Sequence, residues 1–232
     1  MAAKRKKIDY AQINEAVQHF VDFRDLFDGF ARALLRYFHD DPQLSSYIHF
    51  SKYRLKDPEH LRKKLIRKAK EGVIINKKNL FDKITDLVGV RLIHLHTSQV
   101  PAIHSAILSI LSAQKLRLAE APMANCWDSE YEGMFQGFGI VTRSRGSMYT
   151  TLHYIIRANQ RTKVACELQV RTLMDEVWGE VSHRVNYPVE STNSACRSQL
   201  KVLARLTTGC TRLVDSIFES QLAGVQPKKG RS

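Results

Sequence analysis

The sequence predicts an α+β domain, a mixed sheet with helices packed on it. Two observations lead there. Apolar residues recur at helical spacing at both ends of the chain, and strand-like segments in the middle are interspersed with further helices. A third fits them: 44% hydrophobic and 25% charged residues over 232 positions suit one domain with a full core, or a domain with helical extensions.

Residues 8–38 place Ile13, Val17, Phe20, Phe23, Phe27, Phe30, Leu34 and Leu35 on helical spacing. This predicts one helix, ended by "HDDPQ" at 39–43. A second helix starts near Asp57, where "DPEH" supplies a capping carboxylate, a first-turn proline and an acid beside the positive helix end. It runs to about Gly72. "LVGVRLIHLH" (87–96) is rich in branched apolar residues and reads as a buried strand. Residues 100–114 read as a helix. Strands are expected at 138–143, 149–157 and 163–171, the last two forming a hairpin across "ANQRT". A helix follows at 173–187, ended by Pro188, and a long final helix at 194–223. The chain shows no internal repeats and no low-complexity segment.

The net charge of +13 predicts attraction to a polyanion such as a nucleotide, RNA or DNA. Part of it sits in "KRKK" at 4–7 and "KKGRS" at 228–232, where solvated tails are the ordinary reading. Cysteines 126, 166, 196 and 210 show no CxxC spacing. They read as reduced thiols of a cytoplasmic protein, and structural zinc is not expected. No apolar run reaches the ~18–20 residues of a membrane span. The basic N-terminus lacks the apolar core of a secretory signal.

Three stretches are chemically loaded. In "SKYRLKDPEHLRKKLIRK" (51–68), His60, Lys64 and Arg67 share a helical face, with Arg54 and Lys56 at its mouth. That is either a cationic cradle for a polyphosphate at a helix N-terminus or a solvated basic face. In "DLVGVR" (86–91), Asp86 opens the strand as a turn cap or a Mg²⁺ ligand. Arg91 inside an apolar strand needs a partner, and its plane can stack on a base. The third stretch is the hairpin. "VACELQVRT" (164–172) puts Cys166, Leu168 and Val170 on one side and Glu167, Gln169 and Arg171 on the other, an acid, an amide and a guanidinium within roughly 14 Å. Tyr149, Thr151 and His153 would share the polar side if the strands pair suitably. Glu167 could then join Asp86 on a metal or act toward a hydroxyl.

Taken in order, "RLKDPEHLRKKLIRK", "DLVGVRLI", "YTTLH" and "ELQVRTLMDEVWGEVSHRVNY" resemble the RelA/SpoT-type alarmone synthetase domain over about residues 50–190. The resemblance implies a nucleotidyltransferase-like mixed β-sheet of about five strands flanked by helices, with helical extensions at 1–50 and 191–232 around a synthetase domain at 51–190. It implies transfer of the β,γ-pyrophosphate of ATP, with Mg²⁺, to the 3′-hydroxyl of GDP or GTP, giving AMP and (p)ppGpp. By motif, Arg54 and Arg91 resemble the pair that sandwiches the donor adenine. Lys56, Lys64 and Arg67, with His60 beside them, resemble the ATP phosphate contacts. Asp86 and Glu167 resemble the acids that hold Mg²⁺, Glu167 also activating the attacking hydroxyl. Tyr149 resembles the acceptor-base stack, His153 and Gln169 acceptor-side polar contacts, and Arg143 and Arg145 acceptor-phosphate contacts.

Three positions depart from the family pattern. His60 stands where Ser is usual, and Met148 where Gly usually precedes the stacking Tyr. Glu176 occupies a position where Asn or His is often near the acceptor guanine. The chain is too short for the hydrolase and regulatory domains of long members, so "HDD" at 39–41 reads as a helix terminator. Two alternatives to the alarmone synthetase stay open at this level. One is a toxin-like relative that pyrophosphorylates adenine nucleotides or the 3′ end of tRNA. The other is an inactive scaffold that binds RNA. The terminal helices are amphipathic enough either to pair copies of the chain or to cover the sheet.

Overall fold

The structure is a computed structural model that describes residues 8–144, 148, 150–158, 163–186 and 190–224. Helices α1 (Tyr10–Asp22), α2 (Arg24–Asp40) and α3 (Pro42–Tyr47) lead into strand β1 (Phe50–Leu55) and helix α4 (Pro58–Lys70). A short α5 (Leu80–Lys83) precedes β2 (Val88–His94), then come α6 (Val100–Ala113), β3 (Arg117–Leu118), β4 (Met123–Cys126), α7 (Ser129–Gly137) and β5 (Val141–Ser144). β6 (Thr151–Arg157) and β7 (Ala165–Thr172) form the expected hairpin, followed by α8 (Leu173–Asn186) and α9 (Ser194–Gly224).

Among the described residues the sheet has seven strands, not about five, in the order β1-β2-β7-β6-β4-β5 with β3 alongside β6. It is mixed as expected: β2 runs parallel to β7 and β4 to β5, and the remaining pairs are antiparallel. The predicted 8–38 helix is two helices. Phe23 leaves helical geometry at φ −102 and ψ 9, and its N–H caps the end of α1. Strand 138–143 begins later, because Phe138 terminates α7. α4 matches its expectation closely. The Asp57 carboxylate accepts the His60 N–H at 3.0 Å, and Pro58 occupies the first turn.

Alternation divides the sheet into two faces. One face carries Val88, Val90, Leu92, Leu152, Tyr154, Ile156, Leu168 and Val170, all buried. Phe27, Ala31, Leu34 and Phe38 of α2 and Ile103, Ile107 and Ile110 of α6 complete the same core. Ile13 and Phe20 of α1 and Leu61 and Leu65 of α4 extend it. The other face is polar, and α8 crosses it. Trp178 of α8 donates its indole N–H to the Leu200 carbonyl at 3.0 Å, which ties α8 to α9. Among the described residues no helix is long and apolar enough to cross a membrane. The four cysteines are free thiols.

Candidate active site

Strand register assembles the site. Arg54 pairs with Gly89, and Gly89 with Glu167, across β1, β2 and β7. One step along, Lys52, Arg91, Gln169 and His153 line up across four strands. Paired residues share a face, and Arg54, Gly89, Glu167, Lys52, Arg91 and Gln169 of these rows floor a cavity of about 410 Å³. Lys56, Asp57, His60 and Asp86 also line it, together with Glu180 and His183 of α8.

Asp86 and Glu167, distant in the chain, both line this cavity. Lys56 Nζ donates to Asp86 Oδ2 at 2.8 Å and Lys64 Nζ to Oδ1 at 2.7 Å. Burial pushes the Asp86 carboxyl up, but the two ammonium groups outweigh it and hold it below the usual carboxylate range. His153 Nδ1 lies 3.0 Å from Glu167 Oε1, and the Gln169 amide donates to Oε2 at 3.1 Å. Burial and the nearby Asp86 charge raise the Glu167 pKa; the imidazole and amide contacts reverse this, leaving it lowered. Both acids are therefore ionised at neutral pH. Two hard-oxygen carboxylates beside ammonium groups fit a Mg²⁺ ion that takes its remaining ligands from substrate phosphates and water. Among the described residues no cluster of three or more His, Cys, Asp or Glu offers a protein-complete metal cage.

Gln169 explains the strand that carried an acid, an amide and a guanidinium. Its carbonyl oxygen accepts from Arg91 Nε at 3.1 Å and Arg171 Nη2 at 2.8 Å, while its nitrogen bonds Glu167. The strand's polar face is thus chained side chain to side chain. The partner that Arg91 required is supplied by Gln169, by Glu176 at 3.0 Å and by Glu180 at 2.5 Å. Glu180 is pinned by Lys52 as well. Burial raises its carboxyl, but Lys52 and Arg91 bring it down to about 2.

The other sequence-predicted residues divide clearly. Arg54, Lys56, His60, Asp86, Arg91, Glu167 and Gln169 line the cavity. Lys64 reaches it through Asp86, and His153 through Glu167. Arg67 does not line it: its side chain is 67% exposed and sits 4.0 Å from Glu71, on the outer side of α4. Arg143 lies on β5, paired with Asn125 of β4 and away from the cavity lining. Tyr149 and Arg145 lie outside the described residues. Glu176 is buried between α8 and the polar face of the sheet, at 6% side-chain exposure. Sequence reasoning missed Lys52, Gly89, Glu180 and His183. Lys52 could have been found two residues before Arg54, had β1 been recognised as a strand. Glu180 and His183 follow Glu176 at i+4 and i+7, along the same side of the helix.

The polar face of the mixed sheet thus presents paired acids among cations. Residues 53–192 match the family described as "Region found in RelA / SpoT proteins", and the chain belongs to that family. Its fold is similar to that of a GTP pyrophosphokinase family protein from Streptococcus pneumoniae (17% identity, covering 89% of this chain and 94% of that one, TM-score 0.65). It is also similar to the small alarmone synthetase 1 of Bacillus subtilis bound to its product pppGpp (18%, 90% and 97%, TM-score 0.62). The same synthetase bound to AMPCPP gives 15% identity, 89% and 97% coverage, and a TM-score of 0.59. Comparison with curated proteins finds no match.

Proposed function

We propose that the protein is an alarmone synthetase that moves the β,γ-pyrophosphate of ATP to the 3′-hydroxyl of GDP or GTP and releases AMP. The observation that carries this reading is the convergence of Asp86 and Glu167 on one cation-lined cavity. Family membership and neighbours solved with pppGpp and AMPCPP support it. The catalytic unit is residues 51–190; α1–α3 complete its core, and α9 buttresses α8.

In this reading Arg54 and Arg91 flank the donor base, and Lys56, Lys64 and His60 face its phosphates. The acceptor hydroxyl lies against Glu167. Its oxygen attacks the β-phosphorus as the bond from that phosphorus to the α–β bridging oxygen breaks. AMP leaves with the bridging oxygen, and the hydroxyl proton passes to the Glu167 carboxylate and on to solvent. Asp86 and Glu167 would hold Mg²⁺, which supplies charge neutralisation on the transferring phosphates. Such transfer asks the protein mainly for placement and fixed charge around a loose transition state. Two ionised acids and a ring of ammonium and guanidinium groups meet that demand. His153 and Gln169 keep Glu167 oriented, and Tyr149 and Arg145 serve the acceptor.

The test is incubation with γ-labelled ATP and Mg²⁺ together with GDP or GTP, ADP or ATP, or deacylated tRNA. Label is expected on the guanine nucleotide. Label on an adenine nucleotide or tRNA overturns the acceptor assignment, and absence of transfer to all three overturns the reaction.

A further inference from the structure

Glu176 is the most heavily shared carboxylate at the site, although it does not line the cavity. Its Oε1 lies 2.6 Å from Lys52 Nζ and 3.0 Å from Arg91 Nη1, and its Oε2 lies 3.0 Å from Arg171 Nε. Those cations stand on three neighbouring strands, β1, β2 and β7. One carboxylate on α8 therefore fastens the helix to three adjoining strands and fixes Arg91 from the α8 side. Two further contacts of Arg91 among the described residues are more exposed or uncharged. Glu180 is 41% exposed and screened by water, and Gln169 is uncharged. Hydrogen bonds to a guanidinium lie in its plane. Gripping its edge leaves the orientation of its flat faces set, and stacking depends on that orientation.

We propose that Glu176 is a positioning residue for ATP, holding the Arg91 guanidinium as the platform for the donor base. This rests on the reading of Arg54 and Arg91 as the donor-base pair. It also reassigns a position that the family pattern would place near the acceptor: here the side chain serves the donor side through Arg91.

The sign of the effect separates this role from a simple charge effect. Three cations (Lys52, Arg91, Arg171) face two acids (Glu176, Glu180). Neutralising Glu176 raises the positive charge beside the cavity, which by Coulomb attraction alone would tighten a polyanion. A positioning role predicts the opposite for ATP, because the base platform is lost. Inorganic tripolyphosphate has no base and reports the charge effect alone.

The experiment measures binding of ATP and of tripolyphosphate to the full chain by calorimetry, with KM for ATP and acceptor alongside. In Glu176→Gln, ATP is expected to weaken about tenfold, the scale of one charged hydrogen bond. Tripolyphosphate stays unchanged or tightens, and KM for the acceptor holds. Glu176→Gln also strips the counter-charge from buried Arg171, so Glu176→Asp is the companion variant. It keeps the charge, shortens the reach, and is expected to weaken ATP selectively by about threefold. ATP binding that is unchanged or tighter overturns the proposal, and so does an equal loss for both ligands. If the unaltered protein shows no preference for ATP over tripolyphosphate, the donor-base reading itself falls, whatever the variants do.

Discussion

Glu167 is held from two sides, by His153 at one carboxylate oxygen and Gln169 at the other. That grip fixes its direction without neutralising it, and Asp86 nearby makes a second negative charge in the same cavity. Replacing the acid with its amide keeps the volume and removes the charge that the acceptor hydroxyl needs. Glu167→Gln is expected to lower turnover at least about a hundredfold, the range of a positioned base. The ATP affinity should stay within a few-fold of the unaltered protein. Steady-state rates and equilibrium ATP titration check both halves, and unchanged turnover would remove Glu167 from the mechanism. The acid was legible in the sequence because it alternates with apolar Cys166, Leu168 and Val170. Its two neighbours were legible as members of one polar face, but not as the groups that hold it. That His153 and Gln169 face each other across β6 and β7 is a matter of register, and register is set by the hairpin as a whole.

At the scale of elements, the joint between α8 and α9 contains an unusual acid. Asp175 is buried and bonded to Thr172, with Thr211 of α9 3.5 Å from the same hydroxyl. Burial pushes its carboxyl up to about 6, against the pull of Thr172 and Arg171; Asp215 adds to the rise. The folded state therefore favours the protonated form. The stability this contributes is complete below about pH 4 and is lost as pH rises through about 6. A gap of about two pH units is worth about 3 kcal/mol. Asp175→Asn is thus expected to be more stable than the unaltered protein near pH 8, by about 1–3 kcal/mol. It should also flatten the profile between about pH 4 and 6. Thermal unfolding of both proteins across pH measures this, and parallel profiles would contradict it. Most elements flanking the site were readable: the Asp57 cap, the apolar run of β2, and the β6–β7 hairpin. β1 was not, since Phe50–Leu55 contains no β-branched residue and its Lys52 and Arg54 blend into the basic helix that follows. The break at Phe23 was hidden too, because neither Gly nor Pro marks it.

Across the whole molecule, the N-terminal helices belong to the same apolar cluster as the sheet. Phe20 of α1 meets Phe27 of α2 edge to face at 5.6 Å between ring centres, and both are fully buried. Phe20→Ala is expected to cost about 3–5 kcal/mol, as large-to-small core changes do. The loss should appear as an earlier but still single unfolding transition in urea, with an unchanged slope. A separate early transition for the helices would show that they fold apart from the sheet. This shared core was only partly foreseeable. The apolar stripe on 8–38 showed that the helix must cover something, but helical periodicity does not say which surface.

Gly89 sits in the cavity floor between Arg54 and Glu167. A methyl added there would meet nothing closer than the Glu167 carbonyl oxygen at 3.6 Å, an ordinary contact. The backbone can therefore accept alanine at this point without adjustment, and only a bound guest would feel the intrusion. Gly89→Ala should melt at the same temperature as the parent chain yet hold ATP several-fold less well, a loss of about 1 kcal/mol. Paired melting curves and nucleotide titrations would show it. One missing carbon thus gives the protein a steric dial, able to retune occupancy while leaving every charge and every strand in place.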